Sequence, residues 1–148
     1  MKIAIGADHG GFALKEALKN HLVHNTSHQV VDYGTYDDES CDYPDFALLV
    51  ADAVASGAAD RGIMIDTTGI ASTIVGNKVA GVRATCPTCD FTVRSSRVHN
   101  NSNMLVMGAE LMGANRATKL MEVWLETEFA GGRHQRRVDK INRLDGGR

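Results

Sequence analysis

Short apolar runs alternate with longer amphipathic stretches along the chain, and turn signals separate them. Residues 2–5 form a first apolar run that stops at Gly6. Residues 11–23 follow, with Phe12, Ala13, Leu14, Ala17, Leu18 and Leu22 on one broad helical face. The same reading predicts strands over 29–33, 62–65, 82–85 and 104–107. Further helices are predicted from Pro44 onward, from the turn after residue 65 to about 78, up to about 97, and from 114 to about 127. Pro44 suits the first turn of a helix, and Phe46, Ala47, Leu49, Val50, Ala53 and Val54 carry that helix's apolar stripe.

Strands alternating with helices predict an α/β fold, a doubly wound five-stranded parallel sheet covered on both faces. The chain reads as one domain over residues 1–148, the last part of which is a tail. In that tail Gly131 and Gly132 break the helix, and a basic cluster follows with weak apolar spacing at Val138, Ile141 and Leu144. Residues 131–148 are too short to build a core, so they are expected to pack on a neighbouring subunit. Sheets of this kind bind ligands beyond the carboxyl ends of their strands. The residues at those places are Asp8-His9, Asp66-Thr67-Thr68, Cys86 and the segment 108–110.

Charge changes this picture only by exclusion. The 148 residues carry 16 basic and 18 acidic side chains, a balance that favours neither nucleic acid nor membrane. No apolar stretch approaches 18 residues, and the start of the chain leads directly into the first strand, so a soluble cytoplasmic protein is expected. Cys41, Cys86 and Cys89 are too few for a disulfide scaffold. The Cys86-x-x-Cys89 spacing lacks the second ligand pair of a closed zinc site, so no metal is expected.

Four clusters carry candidate chemistry. Asp8-His9-Gly10-Gly11 offers a carboxylate and an imidazole beside glycines that admit a ligand, though without a dinucleotide fingerprint; a capping aspartate with a surface histidine is the plainer alternative. Thr67-Thr68-Gly69 sits at a helix start, suited to an anion or to a simple cap. His99, Asn100 and Asn101 close a helix. Arg133, His134, Arg136 and Arg137 would either grip phosphate or form a solvated tail. Asp66, after an apolar run, is a cap, a ligand or a base.

The strings "GADHGGFALKE", "DYPDFA", "GNKVAGVRA", "RVHNNSNML" and "GGRHQRRVDKI" occur in order. On these the chain resembles the type B ribose-5-phosphate isomerase and galactose-6-phosphate isomerase family over nearly its whole length. The resemblance implies a flavodoxin-like sheet, dimers or tetramers with a site shared between subunits, and metal-free, cofactor-free aldose–ketose isomerisation of a sugar phosphate. It assigns ring opening to His99 with Asp8 nearby, and phosphate binding to His9 and to Arg133 and Arg137 of an adjacent subunit. Tyr43 and Asn100 would line the pocket. Amides at the third helix start, with Thr68, would stabilise an enediolate oxygen. Ribose 5-phosphate is the default substrate.

Two departures stand out. Many members carry Cys-Gly-Thr-Gly-x-Gly where this chain has Asp66-Thr67-Thr68-Gly69-Ile70-Ala71, so the resemblance puts Asp66 in the position of the base. A desolvated carboxylate is chemically able to enolise a sugar. Many members also have an arginine after the fifth strand, where this chain has Glu110. Both changes are similar to the A subunit of galactose-6-phosphate isomerase, which relies on a cysteine-bearing partner. That subunit type typically lacks the Asp8-His9 pair kept here. A partner-dependent subunit, possible as a hetero-oligomer, is therefore the alternative to a self-sufficient enzyme.

Overall fold

The computed structural model describes residues 1–146; Gly147 and Arg148, the end of the expected tail, lie outside them. Strands β1 (Lys2–Ala7), β2 (Gln29–Asp32), β3 (Arg61–Asp66), β4 (Ala84–Thr85) and β5 (Met104–Gly108) form one sheet in the order β2-β1-β3-β5-β4. All four pairings are parallel. The helices are α1 (Phe12–Asn25), α2 (Tyr43–Ala55), α3 (Ile70–Gly76), α4 (Asp90–Val98), α5 (Ala114–Glu126) and α6 (Arg133–Asn142), followed by a 3₁₀ turn (Arg143–Gly146).

The continuous apolar strands are buried on both faces, as their pattern requires. Ile3, Ile5, Ala7, Ile63, Ile65, Leu105 and Met107 pack against α1, α4 and α5. Ala4, Met64, Met104 and Val106 face the other way, towards α2 and α3. The two helices of the first crossovers thus lie on opposite faces. The order of the strands reverses between β1 and β3, which makes their carboxyl ends the natural ligand crevice.

The sequence pattern could not order the last two strands. β5 lies inside the sheet and β4 at its edge, so β4 keeps only two paired residues where four were expected. This exchange places Gly108 directly beside Asp66. Helix α3 ends at Gly76, two residues early, where Asn77 caps it and its side-chain amide bonds Ala84 in both directions at 2.9 and 3.0 Å.

The basic segment of the tail is a helix, α6, in which Val138 is buried; Ile141 and, in the turn that follows, Leu144 stay exposed. Asp145 accepts the Gly81 amide at 2.9 Å, Asn142 accepts from Arg83 at 3.1 Å, and the Ala130 amide donates to Val98 O at 3.1 Å. One apolar side chain and these few polar ties seat the short helix beside its own chain. No helix among the described residues is long and apolar enough to cross a membrane.

Candidate functional site

The sequence-predicted residues fall into two groups at opposite ends of the sheet. Asp8, His9, Tyr43, Asp66, Thr67, Thr68 and Gly69 belong to the carboxyl end, where β1 and β3 finish and α2 and α3 begin. His99 caps the C-terminus of α4, an antiparallel return, and the chain re-enters β5 only five residues later. His99, Asn100 and the tail residues Arg133 and Arg137 thus sit towards the amino end. At ~3.3 Å rise per residue, the six-residue strands β1 and β3 and the five-residue β5 separate the two groups by roughly 15 Å.

At the carboxyl end Asp66 is only 3% exposed. Its Oδ1 accepts the Thr68 amide at 2.9 Å and, in a still shorter contact, the Gly69 amide. Its Oδ2 accepts the Ser72 amide at 3.0 Å. A carboxylate has about four lone-pair sites, and three peptide donors occupy most of them. The amides of Thr68 and Gly69 are thus turned onto Asp66. The physical reason is local: a carboxylate at the end of β3 is the nearest acceptor for the free amides of the α3 start. Gly69 turns this corner at φ 78°, and a side chain there would strike Cys86 Sγ.

Asp8 lies one strand away. β1 and β3 pair Ala7 with Ile65, and the Asp8 amide donates to Ile65 O at 3.1 Å, so the two acids occupy neighbouring strand ends. Asp8 is 5% exposed, and its Oδ1 accepts the Gly11 amide at 2.9 Å. Burial pushes its pKa above the ordinary carboxylate value; the Gly11 amide opposes the rise and the charge of Asp66 adds to it. No lysine or arginine is ion-paired with either acid among the described residues.

Exposed His9 is held through Nδ1, 3.2 Å from both the amide and the carbonyl of Cys41, which fixes the loop leading into α2 and exposed Tyr43. Thr67 and Thr68 are exposed; the Thr68 hydroxyl receives a long 3.4 Å bond from the Ile70 amide. Cys86 donates to Thr68 O at 3.8 Å, and burial, then the Asp66 charge, push its thiol pKa up. Glu110 is exposed and lines a cavity of about 350 Å³ with Gly10, Ala13 and Gly113. A carboxylate in that opening disfavours phosphate there.

At the other end the His99 and His134 rings stack with centroids 4.4 Å apart. His134 is held below the ordinary histidine pKa by loss of water, then by His99, Arg133 and Arg137 nearby. His99 Nδ1 is 3.0 Å from Ser95 Oγ, and Asn100 lines a groove that runs along α4 to Cys86. This cluster of two imidazoles and two guanidiniums suits an anion. Sequence reading missed what holds it. Arg97, 2% exposed, donates to Ser102 O at 2.6 Å, Asn101 Oδ1 at 2.8 Å and Thr127 O at 3.2 Å, pinning the turn after His99. Burial lowers its pKa to about 10. Only its adjacency to the histidine and asparagine pair hinted at this role.

The sequence profile of the Ribose/Galactose Isomerase family matches residues 3–141. The chain belongs to the ribose/galactose isomerase family. It is therefore an aldose–ketose isomerase in type. Ribose-5-phosphate isomerase B of Escherichia coli (strain K12) is 42% identical over 97% of this chain and 96% of its own length. Galactose-6-phosphate isomerase subunit LacA of Clostridium acetobutylicum is 38% identical over 97% and 99%. The solved ribose-5-phosphate isomerase B of Clostridium thermocellum superposes with a TM-score of 0.97 at 46% identity, covering 99% of both chains. The Mycoplasma genitalium enzyme, solved with bound ribulose-5-phosphate, gives 0.94 at 39% identity over 99% of this chain and 97% of its own. The isomerase fold expected from the resemblance is thus present from end to end.

Proposed function

We propose that the chain interconverts the aldose and ketose forms of a sugar phosphate through an enediolate, with ribose 5-phosphate as first substrate, and that two copies complete each site. One observation carries this reading. A pair of buried carboxylates occupies one end of the sheet and an imidazole–guanidinium cluster the other, and a single chain does not bring them together. In a symmetric pair the cationic end of one copy would face the acidic end of the next. Arg133 and Arg137 would then hold the phosphate, His99 would exchange a proton with the ring oxygen, and Thr67, Tyr43 and Asn100 would bond sugar hydroxyls. His9 would reach the same substrate from the fixed loop before α2. The names of the relatives support the substrate class, and cytoplasmic sugar metabolism is the setting that fits.

Asp66 enters this reading as the anchor of the β3–α3 loop, in a position where the resemblance puts the base. That engagement is also the observation that favours a second reading, in which the chain works only beside a cysteine-bearing paralogue as LacA-type subunits do. Incubating the purified chain alone with ribose 5-phosphate and measuring ribulose 5-phosphate separates them. Turnover by the lone chain supports the first reading; turnover only after the paralogue is added selects the second.

A further inference from the structure

We infer that Asp8, and not Asp66, carries the hydrogen between the first and second carbons of the sugar. The inference rests on the isomerase reading and assigns its central step.

Two acids at adjacent strand ends, 5% and 3% exposed and without an ion-paired lysine or arginine among the described residues, are a costly arrangement unless their surroundings differ. They do differ. Asp66 has its charge met by the amides of Thr68, Gly69 and Ser72. Asp8 has amide support from Gly11 and, more weakly, Gly10, and it faces the charge of Asp66 across the strand pair. The titratable groups around Asp8 are Asp66 from β3 and His9 from its own loop, with Glu110 across the cavity that Gly10 lines. Cys86, at the sheet edge, lies on the far side of Asp66. Asp8, whose pKa burial raises, is thus the acid with fewer donors around it. Shifts of this kind bring a carboxylate towards the range useful for proton transfer.

The space beside Asp8 is kept open as well. A Cβ at Gly10 would stand 2.7 Å from Thr67 Oγ1 and 3.4 Å from Asp8 Oδ1, so only glycine leaves that approach free. The oxygens of Asp66, by contrast, face into the α3 turn.

The step balances without a co-reactant. Ionised Asp8 removes the proton from C2 of the opened aldose. The C–H electron pair forms the C1–C2 double bond, and the carbonyl pair moves to O1. Protonated Asp8 then returns the proton to C1 while the O2 proton passes to O1 and the carbonyl reforms at C2.

Ribulose 5-phosphate separates this role from ring opening, because it has no free hydroxyl placed to close a five-membered ring. Incorporation of solvent deuterium at its C1, followed by NMR, therefore reports carbon proton transfer alone. The expected result is incorporation by the native chain and a loss of about 10²-fold or more in Asp8→Asn. A parallel carbon-13 titration of the aspartate carboxyls, in the native chain and in Asp66→Asn, reads the group directly. Asp8 should titrate above the ordinary aspartate range and move down when Asp66 is neutralised. Incorporation within tenfold of native in Asp8→Asn, or an ordinary Asp8 titration unchanged in Asp66→Asn, overturns the inference. If the native chain neither incorporates deuterium nor isomerises ribose 5-phosphate, the substrate reading fails. The titration then still decides whether Asp8 is the poised acid of the pair.

Discussion

Asp66 Oδ2 accepts the Ser72 amide at 3.0 Å, which ties the end of β3 to the first turn of α3. With the Thr68 and Gly69 amides on Oδ1, one side chain holds three peptide groups of a buried corner. Leaving a buried donor unpaired costs about 1–3 kcal/mol. Asp66→Ala should therefore lower the unfolding free energy by at least ~3 kcal/mol, and Asp66→Asn, which keeps one acceptor oxygen, by less. Urea midpoints at constant slope measure both. A loss below ~1 kcal/mol in Asp66→Ala would mean that the loop does not depend on this acid.

Gly69 is strained territory for any other residue, at φ 78° with Cys86 Sγ in the way of a Cβ. Gly69→Ala should destabilise by about 1–3 kcal/mol and lower turnover, since the Thr67-Thr68 segment must shift. Combining it with Cys86→Ala, which removes the colliding sulfur, should recover part of the loss. No recovery would place the strain in the backbone alone.

Asp8 leads to a pH-dependent prediction of the opposite sense from most carboxylates. Its folded pKa is raised above the unfolded value near 3.8, so the folded chain binds more protons and stability falls as pH rises through that window. Asp8→Asn should then raise the melting temperature at pH 7, by an increment that shrinks towards pH 4, while proton transfer is lost. A variant less stable than native at pH 7 would show that the ionised acid is supported, not strained.

His134 works the other way. Its folded pKa lies below the ordinary 6.5, so the folded chain binds fewer protons, and stability present above that value is lost as pH falls. The stack with His99 should loosen below about pH 6.5, raising the apparent substrate constant and exposing α6 to protease. His134→Phe keeps an aromatic neighbour for His99 and should flatten this acid dependence. If the native and Phe variants lose the tail together, another group controls it.

The fold was legible because burial on both faces leaves an uninterrupted apolar run, and β1, β3 and β5 all read that way. Strand order was not, since nothing in residues 82–85 or 104–107 tells an edge from an interior. α6 was missed as a helix because its arginines hide a single buried position, Val138. Buried charges escaped for a similar reason. Lys15 is 0% exposed and paired with Asp32 at 2.8 Å, and Arg97 lies under the His99 turn, yet periodicity counts both as solvent-facing. At the site, Asp66 followed by two threonines and a glycine suits a base and a loop anchor equally. That the α3-start amides turn onto Asp66 is set by the fold and is not written in those residues.

The most direct test of a site built from both ends of the sheet is complementation. Asp8→Asn and His99→Asn, each inactive alone, would be co-produced, purified together and assayed on ribose 5-phosphate. Random pairing makes half the dimers mixed, each with one intact site, so about a quarter of native turnover should return. Turnover no higher than that of either variant alone would contradict the shared site.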